Sequence, residues 1–356
     1  MKVGLISYPM LWQRQGGVQN KIHNTLVALS GLGVESRLFD INTDCLTDFD
    51  LLHVFCTGSG NHRIVEAACD AGVPVVLSSV LSLPYNRFEG WRDRLLHILI
   101  RYLSSYQLST SWGQSFSAFA GAERIIALGQ NEANAIRNNF SINVERIHII
   151  PNGIHDAFFS ADPALFLKTW QSRRPFVLMS ASLSPEKNQL GAVRAVRGLE
   201  VDLVLFGAVG KSQQSYLDAC LKEGAGQVHY LGTYAQNDPF YVSAFAAAQA
   251  VLIPSYTEVT PNVALEALAT GTPVVCTLYH AFDQNFPPAC WQEVNPKNST
   301  AIRAGIQRFL DSSPSSTVCR DTVHDLRWSA IAERIVAVYH EALRSSVPRV
   351  LVPNEY

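Results

Sequence analysis

Short uninterrupted apolar runs recur along the chain, each followed by a polar or glycine-bearing loop and then by apolar positions at helical spacing. Val3 to Ile6 is the first run. The loop Gln13-Arg-Gln-Gly16-Gly17 follows, then Val18, Ile22, Leu26 and Leu29 on one helix face. Runs without polar alternation mark strands covered on both faces, as in parallel sheets. Further strands are predicted at Val34–Phe39, Asp50–Phe55, Val73–Leu77, Ala122–Leu128 and Ile147–Ile150. The alternation stops at Pro151-Asn152-Gly153, and residues 157–174 carry no strand pattern. It restarts at Phe176–Ser180, Asp202–Phe206 and Val228–Gly232, with helices around Leu190, Val193 and Val196 and over Pro239–Gln249. Trp291–Val294 and late helices near Ser299–Leu310 and Trp328–Leu343 complete the pattern. Two consecutive doubly wound α/β units follow, with a boundary between residues 165 and 175: 1–165, then 175–327, a C-terminal helix 328–345 and a tail 346–356.

The segment from Val251 to Thr277 concentrates the candidate chemistry. It reads as strand, polar loop, helix, glycine stop and strand. Thr260 is a candidate cap with Pro261 at the first helical position, and Gly271 closes the helix before Pro273. Glu258 falls on the loop and Glu266 in the helix. A carboxylate between a strand end and a helix N-terminus lies where open α/β sheets bind ligands. Gly16-Gly17 allows close approach of an anion at another helix N-terminus.

Composition narrows the classes. With 28 basic and 30 acidic residues in 356, no global charge favours nucleic acid. The seven cysteines are scattered and never form C-x-x-C, which predicts reduced thiols in a cytoplasmic protein and no zinc site. No signal-peptide pattern opens the chain, and no uncharged apolar run reaches the ~18 residues of a membrane span. Thr57-Gly58-Ser59-Gly60-Asn61-His62-Arg63 approaches a dinucleotide fingerprint. Arg63 replaces its third glycine, and no acidic residue ends the next strand, which argues against a dehydrogenase. His53, alone on a strand, reads as packed core. The helix Trp91–Leu103 pairs Arg92, Arg94 and Arg101 with a broad apolar face. It is either a packed helix or, over residues 86–103, a peripheral membrane contact.

Several motifs stand in a telling order: Gly16-Gly17-Val18, Ala122–Leu128, Ile149-Ile-Pro-Asn-Gly-Ile154, Leu183-Ser-Pro-Glu-Lys187, Leu231-Gly232 and Pro254–Val275. In this order the chain resembles, from residue 1 to about 343, the retaining glycosyltransferases of family 4 (glycosyl transferases group 1). That resemblance implies the GT-B fold: two Rossmann-like lobes facing a cleft, an N-terminal acceptor lobe, a C-terminal nucleotide-sugar donor lobe and a last helix packing back on the N-terminal lobe. It implies that Glu266 takes the donor ribose hydroxyls, that Glu258 lies beside the donor sugar, and that Lys187 holds the diphosphate. Gly16, Gly17, Ser182, Val259, Thr260, Pro261 and Asn262 join the phosphate contacts, with Gly232 and Tyr234 near the base. On the acceptor or sugar side it points to Ser79 and Asn152. No cofactor and no catalytic metal are implied beyond the nucleotide-diphosphate sugar itself.

The sequence departs from the family's pattern at three places. Ser182 stands where an arginine usually precedes the lysine. The loop Ser78-Ser79-Val80-Leu81 lacks the histidine many members carry. Pro-Asn-Gly is followed by Ile154-His155-Asp156. The expected activity is transfer of a hexose to a glycan, lipid-linked or small-molecule acceptor, without nucleic acid as a partner. A non-catalytic partner subunit of the same fold and a nucleotide-sugar epimerase are the alternatives.

Overall fold

The computed structural model describes residues 1–13, 17–81, 87–104, 108–284 and 286–345, side chains at 87–89 excepted. Gly16, residue 86 and the tail 346–356 lie outside the described residues. The chain forms two compact units, Met1–Gly153 with the segment from Trp328 onward, and Ile154–Arg327.

The first unit holds a six-stranded sheet of β1 (Lys2–Ile6), β2 (Glu35–Leu38), β3 (Leu51–Phe55), β4 (Val75–Ser78), β5 (Arg124–Ala127) and β6 (Ile147–Ile149). Every pairing is parallel, in the order β2-β1-β3-β4-β5-β6. β3 is buried along its whole length, as its unbroken apolar pattern requires. His53 is wholly buried there. It shares hydrogen bonds with the Tyr339 hydroxyl at 2.7 Å and the Ser78 hydroxyl at 2.8 Å, and stacks on Phe55. Tyr339 belongs to the helix Trp328–Ser345, which packs on the helix Gly17–Gly31 and against β4 and β5. A pair of polar bonds inside an apolar core thus fixes this last helix to the sheet.

The second unit repeats the plan with β7 (Phe176–Ser180), β8 (Asp202–Phe206), β9 (Val228–Tyr230), β10 (Ala250–Ile253), β11 (Val274–Thr277) and β12 (Trp291–Val294). Its order is β12-β11-β10-β7-β8-β9, again parallel throughout. Val177, Leu203, Leu205, Leu252, Val275 and Ile306 lie in one core. Among the described residues no helix is long and apolar enough to cross a membrane.

The division falls at Gly153/Ile154, ahead of the segment 165–175 expected from composition. Ile154 donates its N–H to the Leu326 carbonyl at 2.7 Å and bridges Arg327, closing the second unit at its own two ends. The segment without strand pattern forms two short helices, Asp156–Phe159 and Ala164–Thr169. Phe158 and Phe166 are buried against Phe245 and Phe240 of the helix Pro239–Ala247. Two further helices, Gln214–Gly224 and Ser316–Asp321, also lack a counterpart in the sequence pattern.

Gly207, just beyond β8, sets how closely the loop after β7 can approach. Its φ is +144°, and a Cβ there would stand 1.9 Å from the Ala181 carbonyl oxygen. Gly207→Ala is expected to lose roughly 2–4 kcal/mol of stability through backbone strain and overpacking. Urea denaturation should show a lower midpoint with an unchanged slope.

Candidate active site

The second sheet reverses its winding between β7 and β10: β8 and β9 lie to one side, β11 and β12 to the other. Loops leaving the carboxyl ends of two such strands diverge and leave a crevice. The loop after β7 carries Lys187 and the loop after β10 carries Glu258. Their side chains meet across this point, Lys187 Nζ donating to Glu258 Oε1 at 2.7 Å. Both are partly accessible, Lys187 at 24% and Glu258 at 13% of side-chain surface, so the pair remains open to exchange with a ligand.

Backbone and amide bonds hold the two loops in register. The Tyr256 N–H donates to the Glu186 carbonyl at 2.9 Å. Asn188 is buried, and its amide donates to the carbonyls of Pro254 at 3.0 Å and Pro296 at 2.9 Å. Asn188 adopts a left-handed φ of 59°, which ends the short turn Pro185–Lys187 and starts the helix Gln189–Val196. On the far side, the Glu258 N–H donates to Tyr279 O at 2.9 Å and the Ala281 N–H to Val259 O at 2.7 Å. The loops after β7, β10, β11 and β12 are therefore stitched around one ion pair.

The helix after β10 spans Asn262–Thr270. Pro261 is its N-cap, with no side-chain cap bond, so Thr260 does not play the capping part expected of it and Asn262 occupies the first position. Val259, Thr260, Pro261 and Asn262 are half-buried. From Ala264 to Thr270 every residue is buried, Glu266 included, at 3% exposure. Its carboxylate accepts a hydrogen bond from the Gln236 amide. Burial pushes Glu266 up to about 7, against the pull of that bond. The Tyr241 hydroxyl, which pairs with the Ser180 hydroxyl at 2.7 Å, is raised by burial and further by Glu266.

Ser182 is exposed, and its carbonyl accepts from Gln189 at 3.0 Å. Gly232 has φ 88°, and its carbonyl accepts from Gly207 N–H at 2.9 Å. Tyr234 rests edge-on against Phe206 and beside Phe240, so its ring is positioned by packing. Gly17, Ser79 and Asn152 belong to the first unit. Gly17 opens its helix with open space around its Cα, Ser79 is buried with its hydroxyl on Ile126 O at 3.1 Å, and Asn152 is half-buried. His155 caps the helix Asp156–Phe159 by accepting the Ala157 N–H at 3.2 Å, which accounts for the altered residue after Pro-Asn-Gly-Ile154. Gln236, Asn188 and Tyr241 had no motif to mark them. Among the described residues no group of three or more His, Cys, Asp or Glu could hold a metal ion.

Glu266 makes folding pH-dependent. A carboxyl raised from 4.5 to about 7 binds its proton more tightly in the folded chain, so its contribution is present below pH 4.5 and lost as pH rises to about 7. Glu266→Gln should therefore match the parent at pH 4.5 and exceed it by roughly 3 kcal/mol at pH 8. Urea midpoints at the two pH values provide the check.

Residues 166–323 match the family of glycosyl transferases group 1. The chain is 24% identical over 312 residues to the MMP alpha-(1->4)-mannosyltransferase of Mycolicibacterium hassiacum, covering 83% of this chain and 71% of that protein. Its fold is similar to that of the Anabaena Alr3699/HepE complex with UDP, at a TM-score of 0.71 and 16% identity, over 96% of this chain and 100% of the other. It is similar also to sucrose-phosphate synthase from Thermosynechococcus elongatus, at 0.68 and 18%, over 96% and 99%. Its second unit thus carries a segment that matches the glycosyl transferases group 1, and its two parallel six-stranded sheets have the fold of GT-B glycosyltransferases.

Proposed function

We propose that this protein is a retaining hexosyltransferase that moves a sugar from a nucleotide-diphosphate donor to a glycan, lipid-linked or small-molecule acceptor without a catalytic metal. The observation that carries the reading is the Lys187–Glu258 ion pair at the winding reversal of the second sheet, beside buried Glu266. A diphosphate arriving there competes with Glu258 for Lys187. The ammonium then neutralises charge on the leaving diphosphate as the glycosidic bond breaks. The released Glu258 carboxylate faces the sugar, where it accepts from a hydroxyl or balances positive charge at the anomeric carbon. Glu266 exchanges Gln236 for the ribose hydroxyls, an acceptor-only role suited to its ionised form. The N–H groups from Val259 to Asn262, at the helix N-terminus, and the Ser182 hydroxyl add donors for the phosphates. Gly232 and Tyr234 stand nearer the base. Structures of Anabaena HepE with UDP and with UDP-glucose make uridine donors the first to test.

Ser182 supports one other reading, a non-catalytic partner subunit that holds no nucleotide donor, because it supplies no charge beside Lys187. Calorimetry with uridine, guanosine and adenosine diphosphates separates the two: a transferase binds at least one of them. Lys187→Met and Glu258→Gln are each expected to lower kcat for transfer by about 10²-fold or more. Unchanged transfer in Glu258→Gln would reject the assigned mechanism.

The helix Arg87–Leu103 supports contact with a membrane surface. Trp91, Leu95, Ile98, Leu99, Tyr102 and Leu103 are all exposed, Tyr102 at 74%, and helical spacing gathers them on one side. Its opposite side is anchored by buried His97, which bonds the Thr110 hydroxyl at 3.0 Å. Arg92 and Arg94 are exposed beside the apolar side chains. Aromatic, aliphatic and arginine side chains together suit an anionic bilayer interface. The protein should sediment with phosphatidylglycerol vesicles and not with phosphatidylcholine vesicles, and Leu95→Glu with Leu99→Glu should abolish the association.

A further inference from the structure

The first unit also reverses its winding, between β1 and β3, and there a lysine is buried. Lys21 lies in the second turn of the helix Gly17–Gly31, which follows β1. It is 6% exposed, and its Nζ has no hydrogen-bond partner. Its charge acts on His53 and Cys56, on and just after β3, and on Glu132. Glu132 does not neutralise it by contact: its two oxygens accept the N–H groups of Leu81 at 2.8 Å and Leu128 at 2.6 Å. Burial brings Lys21 down to about 8, while Glu132 and Cys56 act the other way. A buried ammonium with three unused donors is strongly unfavourable in a resting protein. Such a group persists where it serves a ligand.

The neighbouring turn has the same character. Cys56 has φ 72°, Ser59 has φ 58° and Gly60 has φ 89°, so the chain leaves β3 through left-handed conformations that disfavour two of these three residues. Asn61 is fully buried and fixes the turn, its amide donating to Phe55 O at 2.7 Å and Cys56 O at 3.0 Å. Its Oδ1 is left without a partner. The helix Asn61–Asp70 that begins here has no side-chain N-cap. The turn at the carboxyl end of β3 therefore carries a free amide acceptor and an uncapped helix start, and the charge of buried Lys21 reaches it at Cys56. This is the edge at which open α/β sheets bind ligands.

We propose that Lys21 and the turn Cys56–Asn61 bind an oxyanion, a phosphate or carboxylate group, carried by the molecule that receives the sugar. Lys21 holds the charged oxygens, and Asn61 Oδ1 accepts from a hydroxyl of the same molecule. The identity of that molecule as the acceptor rests on the transferase reading; the oxyanion site does not.

The test uses thermal unfolding of the full chain in the Lys187→Met background, which removes the phosphate-binding lysine of the second unit. Inorganic phosphate and acetate are added at constant ionic strength, with chloride as the control. Phosphate held at 100 times its dissociation constant should raise the melting temperature by roughly 5–10 °C. A rise with acetate as well marks a carboxylate-bearing acceptor, and a rise with phosphate alone a phosphate ester. Adding Lys21→Met or Lys21→Gln should abolish the rise. The same change should leave the ligand-free protein at least as stable as its background, because an unpaired buried charge has been removed. The proposal fails if neither anion raises the melting temperature, if the rise survives both Lys21 substitutions, or if both substitutions destabilise the ligand-free protein. Since no sugar transfer is measured, a failure of the transferase reading leaves this result intact and is seen separately.

Discussion

The second unit depends on a topological constraint that becomes an electrostatic one. β7 and β10 are neighbours, yet the chain winds away from them in opposite directions. No helix can cover the gap at their carboxyl ends, so the loops there must satisfy each other. They do so with one ion pair, Lys187 to Glu258, and with the carbonyl bonds of Asn188 and Tyr256. The ion pair is only partly screened from water and spans loops rather than core. Such a pair adds little to stability. Its value lies in keeping a cation and a carboxylate poised at a place where a charged ligand can take either one.

Glu266 follows a different logic. It sits in a helix whose other side chains from Ala264 to Thr270 are all buried, and its carboxylate accepts from the Gln236 amide. Burial favours its neutral form near physiological pH. Hydroxyls donated by a ligand favour the charged form, so binding and ionisation of Glu266 are linked. In the proposed donor site, folding and recognition therefore pull the same carboxyl in opposite directions, which is a common sign of a site kept for function.

Much of the architecture was legible because parallel strands are buried on both faces. Val251–Ile253 and Leu203–Phe206 announce themselves as unbroken apolar runs, and Gly271 with Pro273 ends the intervening helix. Glu258 stood out on the loop after a strand, and the roles of Glu266 and Lys187 came from the resemblance to the family's motifs. Contacts between distant segments were not legible. Gln236 carries no motif, and its partnership with Glu266 exists only after the turn ahead of the helix Pro239–Ala247 packs on the helix Asn262–Thr270. The unit boundary escaped for a related reason. Phe158 and Phe166 look like loop residues until Phe240 and Phe245 are brought beside them. The burial of Lys21 was equally hidden, because a lysine in the second turn of an amphipathic helix ordinarily faces water.

Both units are parallel six-stranded sheets with one winding reversal, in different strand orders, and they differ in how each treats the cation there. In the second unit Lys187 meets Glu258 directly. In the first, the nearby carboxylate of Glu132 spends its oxygens on the backbone of Leu81 and Leu128, and Lys21 is left without a bond. A paired cation must surrender its partner to bind an anion, and the exchange limits affinity while releasing a carboxylate for chemistry. An unpaired cation gains its first partner, so binding is favoured and nothing is released. The first arrangement suits a step in which charge moves. The second suits a group that is held still while the reaction happens elsewhere on the same molecule.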